Sequence, residues 1–212
     1  MKWEEFLKKT RYRPVIEAES LLAGIPDPLP VKVQLSRWCK AGKLIQARRG
    51  VYIISESYRK ENVFEPYLAS ILKKPSYISL EKALEFHALI PEAVPVYTCL
   101  TTKRPGKFVS PAGVFTYRHI KRELFWGYAP VTVSGQTGFI ARPEKALLDL
   151  IYLRGMNISR AWLRELRLQN TEKLDPRAVS ACARRFKSPG MLKASEQINE
   201  YIVSYSKQEK TL

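Results

Sequence analysis

Three prolines in six residues, Ile25-Pro26-Asp27-Pro28-Leu29-Pro30, constrain this chain more than any other local feature. Each proline removes a backbone donor and fixes φ at about −65°, so neither a helix interior nor a sheet ladder can cross the segment. One helical pattern must end before it and another begin on it, with Pro30 suited to a first helical turn. Apolar spacing predicts helices over 3–9 and 14–23, the second carrying Val15, Ile16, Ala18, Leu21 and Leu22 and stopped by Gly24. Beyond the prolines a third helix is predicted over 31–41, closed by Gly42. Two short β-like runs follow, Leu44-Ile45-Gln46-Ala47 and Val51-Tyr52-Ile53-Ile54, joined through Arg48-Arg49-Gly50. Helix, helix, turn, helix, hairpin is the order of a winged helix-turn-helix.

On a helical wheel Val31, Leu35, Trp38, Cys39 and Gly42 fall on one side of the third helix, its expected core face. Lys32, Val33, Ser36, Arg37 and Lys40 occupy the other, with Gln34 and Lys43 at its edges and no acid from Val31 to Gly50. Such a face suits the major groove of double-stranded DNA. Lys and Arg would meet phosphates or guanine edges, Ser36 phosphate or base, and Val33 a thymine methyl. Arg48 and Arg49 at the hairpin tip are placed as a wing would be. The expected DNA-binding set is therefore Lys32, Val33, Ser36, Arg37, Lys40, Lys43, Arg48 and Arg49.

The polar segment Ser55–Asn62 marks an expected boundary, giving a DNA-binding domain over 1–57 and a second domain over 58–212. In the second, helices are predicted over 63–72 and from a Ser79 cap to Leu89, with a Tyr77-Ile78 strand between them. Strands are predicted at 96–102, 114–120, 131–134 and 138–141, followed by a helix from Pro143 to Arg154. The remainder reads as helices, one capped by Ser159, one begun by Asp175-Pro176 and one after Ser188-Pro189-Gly190, fraying from Ser206. The fold class is thus α+β, a winged helix followed by an α/β domain with a helical C-terminus.

Composition narrows the function. Thirty-six Lys and Arg against twenty Asp and Glu give a net charge of +16, which favours polyanionic partners. Divided at residues 57 and 155 the excess is +5, +6 and +5, so it belongs to folded surface and not to a basic tail. A second basic stretch, Lys103, Arg104, Lys107, Arg118, Lys121 and Arg122, is interleaved with Phe108, Phe115 and Tyr117. It suits RNA or a phosphate-bearing ligand if the aromatics are free to stack, and a plain strand with solvated charges if they are core; the core reading is preferred. No stretch is apolar enough to span a membrane, so no membrane association and a cytoplasmic location are expected.

Catalytic signals are missing. There is no P-loop, dinucleotide or nucleophile-elbow motif, and Asp27, Asp149 and Asp175 are a thin supply of carboxylates for two-metal chemistry. Arg142-Pro143-Glu144-Lys145 is polar enough for a site but reads better as a helix start, with Pro143 first and Glu144 complementing the dipole. Cys39, Cys99, Cys182, His87 and His119 have no metal-ligand spacing. A non-enzyme without metal or cofactor is expected.

Three segments together resemble the AbiEi-type antitoxins of type IV toxin-antitoxin (AbiE abortive-infection) systems. They are Leu35–Leu44 with Arg49-Gly50-Val51-Tyr52, then Tyr77–His87, then Ile140–Tyr152, in an order and spacing that span about residues 14–154. The resemblance implies a winged helix that represses its own promoter. It also implies a C-terminal domain that counteracts a nucleotidyltransferase toxin without a stable complex, and a homodimer is compatible with it. The alternatives are a stand-alone ligand-responsive regulator and a nuclease or RNA-modifying enzyme targeted by the winged helix.

Because no cysteine or histidine has ligand spacing, a strong chelator or a thiol reductant should leave the melting temperature unchanged. A clear fall in Tm with either reagent would overturn that reading of the cysteines.

Overall fold

A computed structural model describes residues 1–156 and 158–209, with side chains to residue 204. The chain opens with α1 (Trp3–Lys9), whose Glu4 and Glu5 in the first turn and Lys8 and Lys9 in the last complement the helix dipole. Where a helix over 14–23 is predicted, the chain instead forms β1 (Val15–Glu17) and then a short α2 (Ala18–Leu22). The cause is a distant partner. Val15 and Ile16 pair antiparallel with Ile53 and Tyr52 of β3 (Val51–Ile54), and β-branched residues in a strand can bury both faces.

α3 (Leu29–Lys40) starts where Asp27 accepts the Leu29 N–H at 3.0 Å, and it holds Pro30 in its first turn. β2 (Leu44–Arg48) completes a three-stranded sheet of order β1-β3-β2, with a bulge between Gln46 and Arg48. Alternate residues divide between two cores. Ile16, Leu44 and Ile54 pack with Phe6, Leu21, Leu35 and Trp38 of the helices, whereas Val15, Val51 and Ile53 join the large core of the rest of the chain. Apolar packing therefore continues across the expected division at residue 57.

The second region begins with α4 (Glu65–Leu72), β4 (Ser76–Ile78) and α5 (Leu80–Phe86). It continues through β5 (Val96–Thr101), β6 (Gly106–Ser110), β7 (Gly113–His119), β8 (Tyr128–Val133) and β9 (Gln136–Ala141) to α6 (Pro143–Arg154). The six strands form one mixed sheet of order β6-β7-β5-β4-β9-β8. α4 lies against one face, held by Ser76 to the Lys73 carbonyl (2.6 Å) and Tyr117 to the Ala69 carbonyl (2.6 Å). Gly138 of β9 permits this approach, since a Cβ there would collide with the Pro66 backbone.

Three expectations need correction. α5 ends at Phe86 and not Leu89, and Ser79 at its start makes no capping bond. No separate strand is predicted over 106–110, yet β6 forms there, its exposed Lys107 and Val109 alternating with a half-buried Phe108 as in an edge strand. The α6 prediction needs none: Pro143 opens the helix and Gly155, at φ 103°, closes it in the left-handed region.

α6 covers the other sheet face and brings a polar network into the core. Lys145 and Asp149, one helical turn apart, are both fully buried and form an ion pair. The Lys145 ammonium also donates to the Tyr77 hydroxyl (3.0 Å), while Asp149 Oδ2 accepts from Tyr77 (3.0 Å) and from Ser79 (2.8 Å). Ser79 is thus spent on Asp149. Burial pushes the Asp149 carboxyl up and the Lys145 amine down, and each partner's charge opposes the shift of the other. Gly127, at φ 76°, leaves room for the lysine stem, to which a Cβ would stand 2.9 Å away.

α7 (Arg160–Glu165), α8 (Pro176–Arg185) and α9 (Pro189–Glu209) close over α6. Their starts follow the sequence: Ser159 accepts the Trp162 N–H at 3.1 Å and Asp175 the Arg177 N–H at 2.9 Å. The backbone stays helical through Ser206 to Glu209, and the remainder of the segment expected to fray lies outside the described residues.

Removing one partner leaves a buried charge uncompensated. Asp149→Ala should therefore cost about 3 to 5 kcal/mol in urea unfolding, and the double Lys145→Met, Asp149→Leu change much less than twice that. A cost within about 0.5 kcal/mol of zero for Asp149→Ala, on the scale of surface changes, would show that the pair is not buried in solution.

Candidate nucleic-acid interface

α3 rests on its own small core. Leu35 and Trp38 are buried, and Trp38 packs on Phe6 (ring centroids 4.6 Å) and Trp3 (5.0 Å) of α1. This bracing turns Lys32, Val33, Ser36, Arg37 and Lys40 outward, all exposed, with Val33 50% accessible. Twelve residues at about 1.5 Å each give a rod of about 18 Å, and a B-DNA major groove about 12 Å wide admits one.

Two members of the sequence-derived set do not join that face. The Lys43 ammonium lies over the rings of Trp3 (5.3 Å) and Tyr58 (5.6 Å), half-buried on its own protein. Arg48 donates to the Ile71 carbonyl at the end of α4 (3.1 Å), so its guanidinium ties the hairpin to the second region. Arg49, one residue on, is exposed at the tip. The bulge between Gln46 and Arg48 re-aims this end of β2, a local effect that alternation alone does not show.

The second basic stretch gathers at one end of the large sheet. β5 and β7 run parallel with Thr101 beside His119, so Lys103 and Arg104 after β5 lie near Arg118, Lys121 and Arg122 at the end of β7. Lys107 stands on β6 opposite Thr116. All six cations are exposed, and only Arg118 among them donates a side-chain bond, to the Leu153 carbonyl at 3.4 Å. The aromatics are not available for stacking: Phe115 and Tyr117 are buried in the core, and Phe108 packs edge-on to Tyr117 at 5.7 Å.

A third group of cations lies outside both predicted basic sets. Lys9, Arg11 and Arg13 flank the turn from α1 into β1, and the only signal for them in sequence is a short basic run interleaved with Tyr12. Among the described residues no cluster of three His, Cys, Asp or Glu is placed to hold a metal ion, and no helix is long and apolar enough to cross a membrane. Compared with models of known protein families and with curated proteins, the chain gives no match.

The two hairpin arginines should separate by stability. Arg48→Ala leaves the Ile71 carbonyl without its partner and should cost about 1 to 3 kcal/mol in urea unfolding. Arg49→Ala should stay within about 0.5 kcal/mol of the parent. Equal effects would mean that Arg48 does not anchor the hairpin.

Proposed function

We propose that the chain is a DNA-binding repressor whose residues 1–57 act as a winged helix, and that it serves as the antitoxin of a type IV toxin-antitoxin operon. The observation that carries the first half is the acid-free outer face of α3, where Lys32, Val33, Ser36, Arg37 and Lys40 stand free of the protein on a helix braced from behind. α1, β1, α2, α3, β2 and β3 succeed one another in the order a winged helix requires, and Arg49 sits at the tip of the hairpin. Phosphate contacts would supply affinity, and Val33 and Ser36 with one of the cations sequence choice.

The antitoxin half rests on the resemblance at Tyr77–His87 and Ile140–Tyr152. These segments are neighbours in the fold, joined through the parallel pair Ile78 and Ile140 and through the Asp149 network. In this reading the second region, residues 58–212, is not catalytic and opposes a nucleotidyltransferase toxin without holding it in a stable complex.

Two measurements on the full-length protein test the halves separately. Arg37→Ala with Lys40→Ala should weaken binding to the chain's own promoter and shrink the slope of log affinity against log salt by about 0.9 per lost phosphate contact. Unchanged affinity and slope would overturn the assignment of α3 as the recognition helix. Co-expression with the adjacent toxin gene should restore growth in the parent and in this double variant alike. Failure of the folded parent to rescue growth would overturn the antitoxin half and favour a ligand-responsive regulator.

A further inference from the structure

Two cavities meet between the N-terminal helices and the second region. One, of about 260 Å³, has buried Val15, Ile16 and Leu21 in its wall; the other, of about 280 Å³, reaches Lys60 and the β8–β9 turn at Ser134 and Gly135. Arg11, Arg13 and Tyr67 line both. Cavities at the junction of two structural units are preferred places for small ligands.

The charge around this junction is predominantly positive, with Lys9, Arg11, Arg13 and Lys60 lining it against the carboxylates of Glu17 and Glu61. Arg11 and Arg13 form no ion pair among the described residues, and Lys9 and Lys60 stand on either side. Glu17, the carboxylate of the first cavity, is already held by Lys74 at 2.7 Å. Lys60 is kept in place over the Tyr12 ring at 4.1 Å. The backbone that presents the arginines is itself constrained: Arg11 and Tyr12 both adopt left-handed conformations, φ 53° and 55°, pinned by bonds from Arg11 N to Lys8 O and from Tyr12 N to Leu7 O. Left-handed non-glycine residues cost energy, and a pair of them persists only where the surrounding structure determines the turn.

We infer that this junction binds a small organic phosphate of mononucleotide size, with the phosphate between Arg11 and Arg13 and the apolar body against Tyr67. Two guanidiniums that no carboxylate engages in an ion pair among the described residues offer paired N–H donors that match phosphate oxygens, a geometry lysine cannot reproduce. The half-buried Tyr67 and the wall of Val15, Ile16 and Leu21 supply the apolar surface that inorganic phosphate alone would leave unused. Since the cavities lie apart from the outer face of α3, the inference does not depend on DNA binding.

The test is isothermal titration calorimetry of the full-length protein with adenosine monophosphate, adenosine and inorganic phosphate at 0.15 M salt. Adenosine monophosphate should bind one to one, and both fragments at least about tenfold more weakly. Arg11→Gln with Arg13→Gln should reduce the nucleotide affinity at least about tenfold without lowering Tm, whereas Arg37→Gln with Lys40→Gln should leave it unchanged. Equal affinities for nucleotide and adenosine would overturn the proposal, as would equal losses in the two double variants, which would mark diffuse attraction to a basic surface. Loss of promoter affinity in Arg11→Gln, Arg13→Gln, with no nucleotide binding in the parent, would assign these arginines to a DNA backbone instead.

Discussion

The buried pair of Lys145 and Asp149 is the constraint on which the second region depends. Two opposite charges without solvent contact are tolerable only if their remaining hydrogen-bonding capacity is met, and here it is met from a different element. Tyr77 and Ser79, at the end of the central strand β4, must face α6 for Asp149 to keep its donors. That requirement sets the rotation of α6 and its distance from the sheet. It also requires a residue without a side chain at Gly127 and a lid of Trp126 and Phe186, whose rings lie 4.8 and 5.3 Å from the ammonium. An apolar pair of the same volume would pack with less risk, so the network acts chiefly by penalising every other docking of α6.

The N-terminal sheet performs a similar service by simpler means. Because successive residues of a strand face opposite ways, β1 and β3 serve two cores at once, Ile16 and Ile54 to the helices and Val15, Val51 and Ile53 to the second region. The helices that carry α3 are thereby tied to the rest of the chain through the sheet. Arg48 and the Lys74–Glu17 pair add polar ties on the same border. The orientation of the outward face of α3 relative to the large sheet is therefore set by packing and not by a flexible linker.

Much of this architecture was legible because its signals are local. Pro143 and Gly155 bracket α6, Ser159 and Asp175 cap α7 and α8, and the wheel over α3 separates buried Leu35 and Trp38 from exposed Lys32 and Arg37. What escaped depends on partners distant in sequence. Val15 and Ile16 fit a helical period until β3 offers them a ladder. Ser79 looks like a cap until Asp149, seventy residues on, claims its hydroxyl. Lys145 and Asp149 at i and i+4 are indistinguishable from a solvated surface pair unless one notices that apolar residues surround them on α6. Arg48 looked like a wing cation because nothing nearby in sequence reveals the carbonyl of Ile71.

The inward turn of Lys43 and Arg48 changes the electrostatics more than the count of basic residues suggests. Six cations on the helix and hairpin reduce to four that a duplex on α3 could meet: Lys32, Arg37, Lys40 and Arg49. Counterion release scales with the number of phosphates neutralised, at about 0.9 in log-log slope for each, so four contacts give a shallower salt dependence than six. Specific affinities in the usual range of about 10⁻⁸ to 10⁻¹¹ M commonly draw on a larger interface than one helix and a short hairpin. In the proposed reading, a repressor built this way would need a further contribution, either from a second copy on an adjacent half-site or from cations elsewhere on the same chain. The six exposed cations at the end of β5, β6 and β7 belong to the same border as the hairpin, because β2 lies against β6. The packing of β2 on β6 therefore has a functional consequence within the proposed reading: it keeps the second basic surface beside the hairpin that follows α3, which a flexible tether between two separate domains could not do.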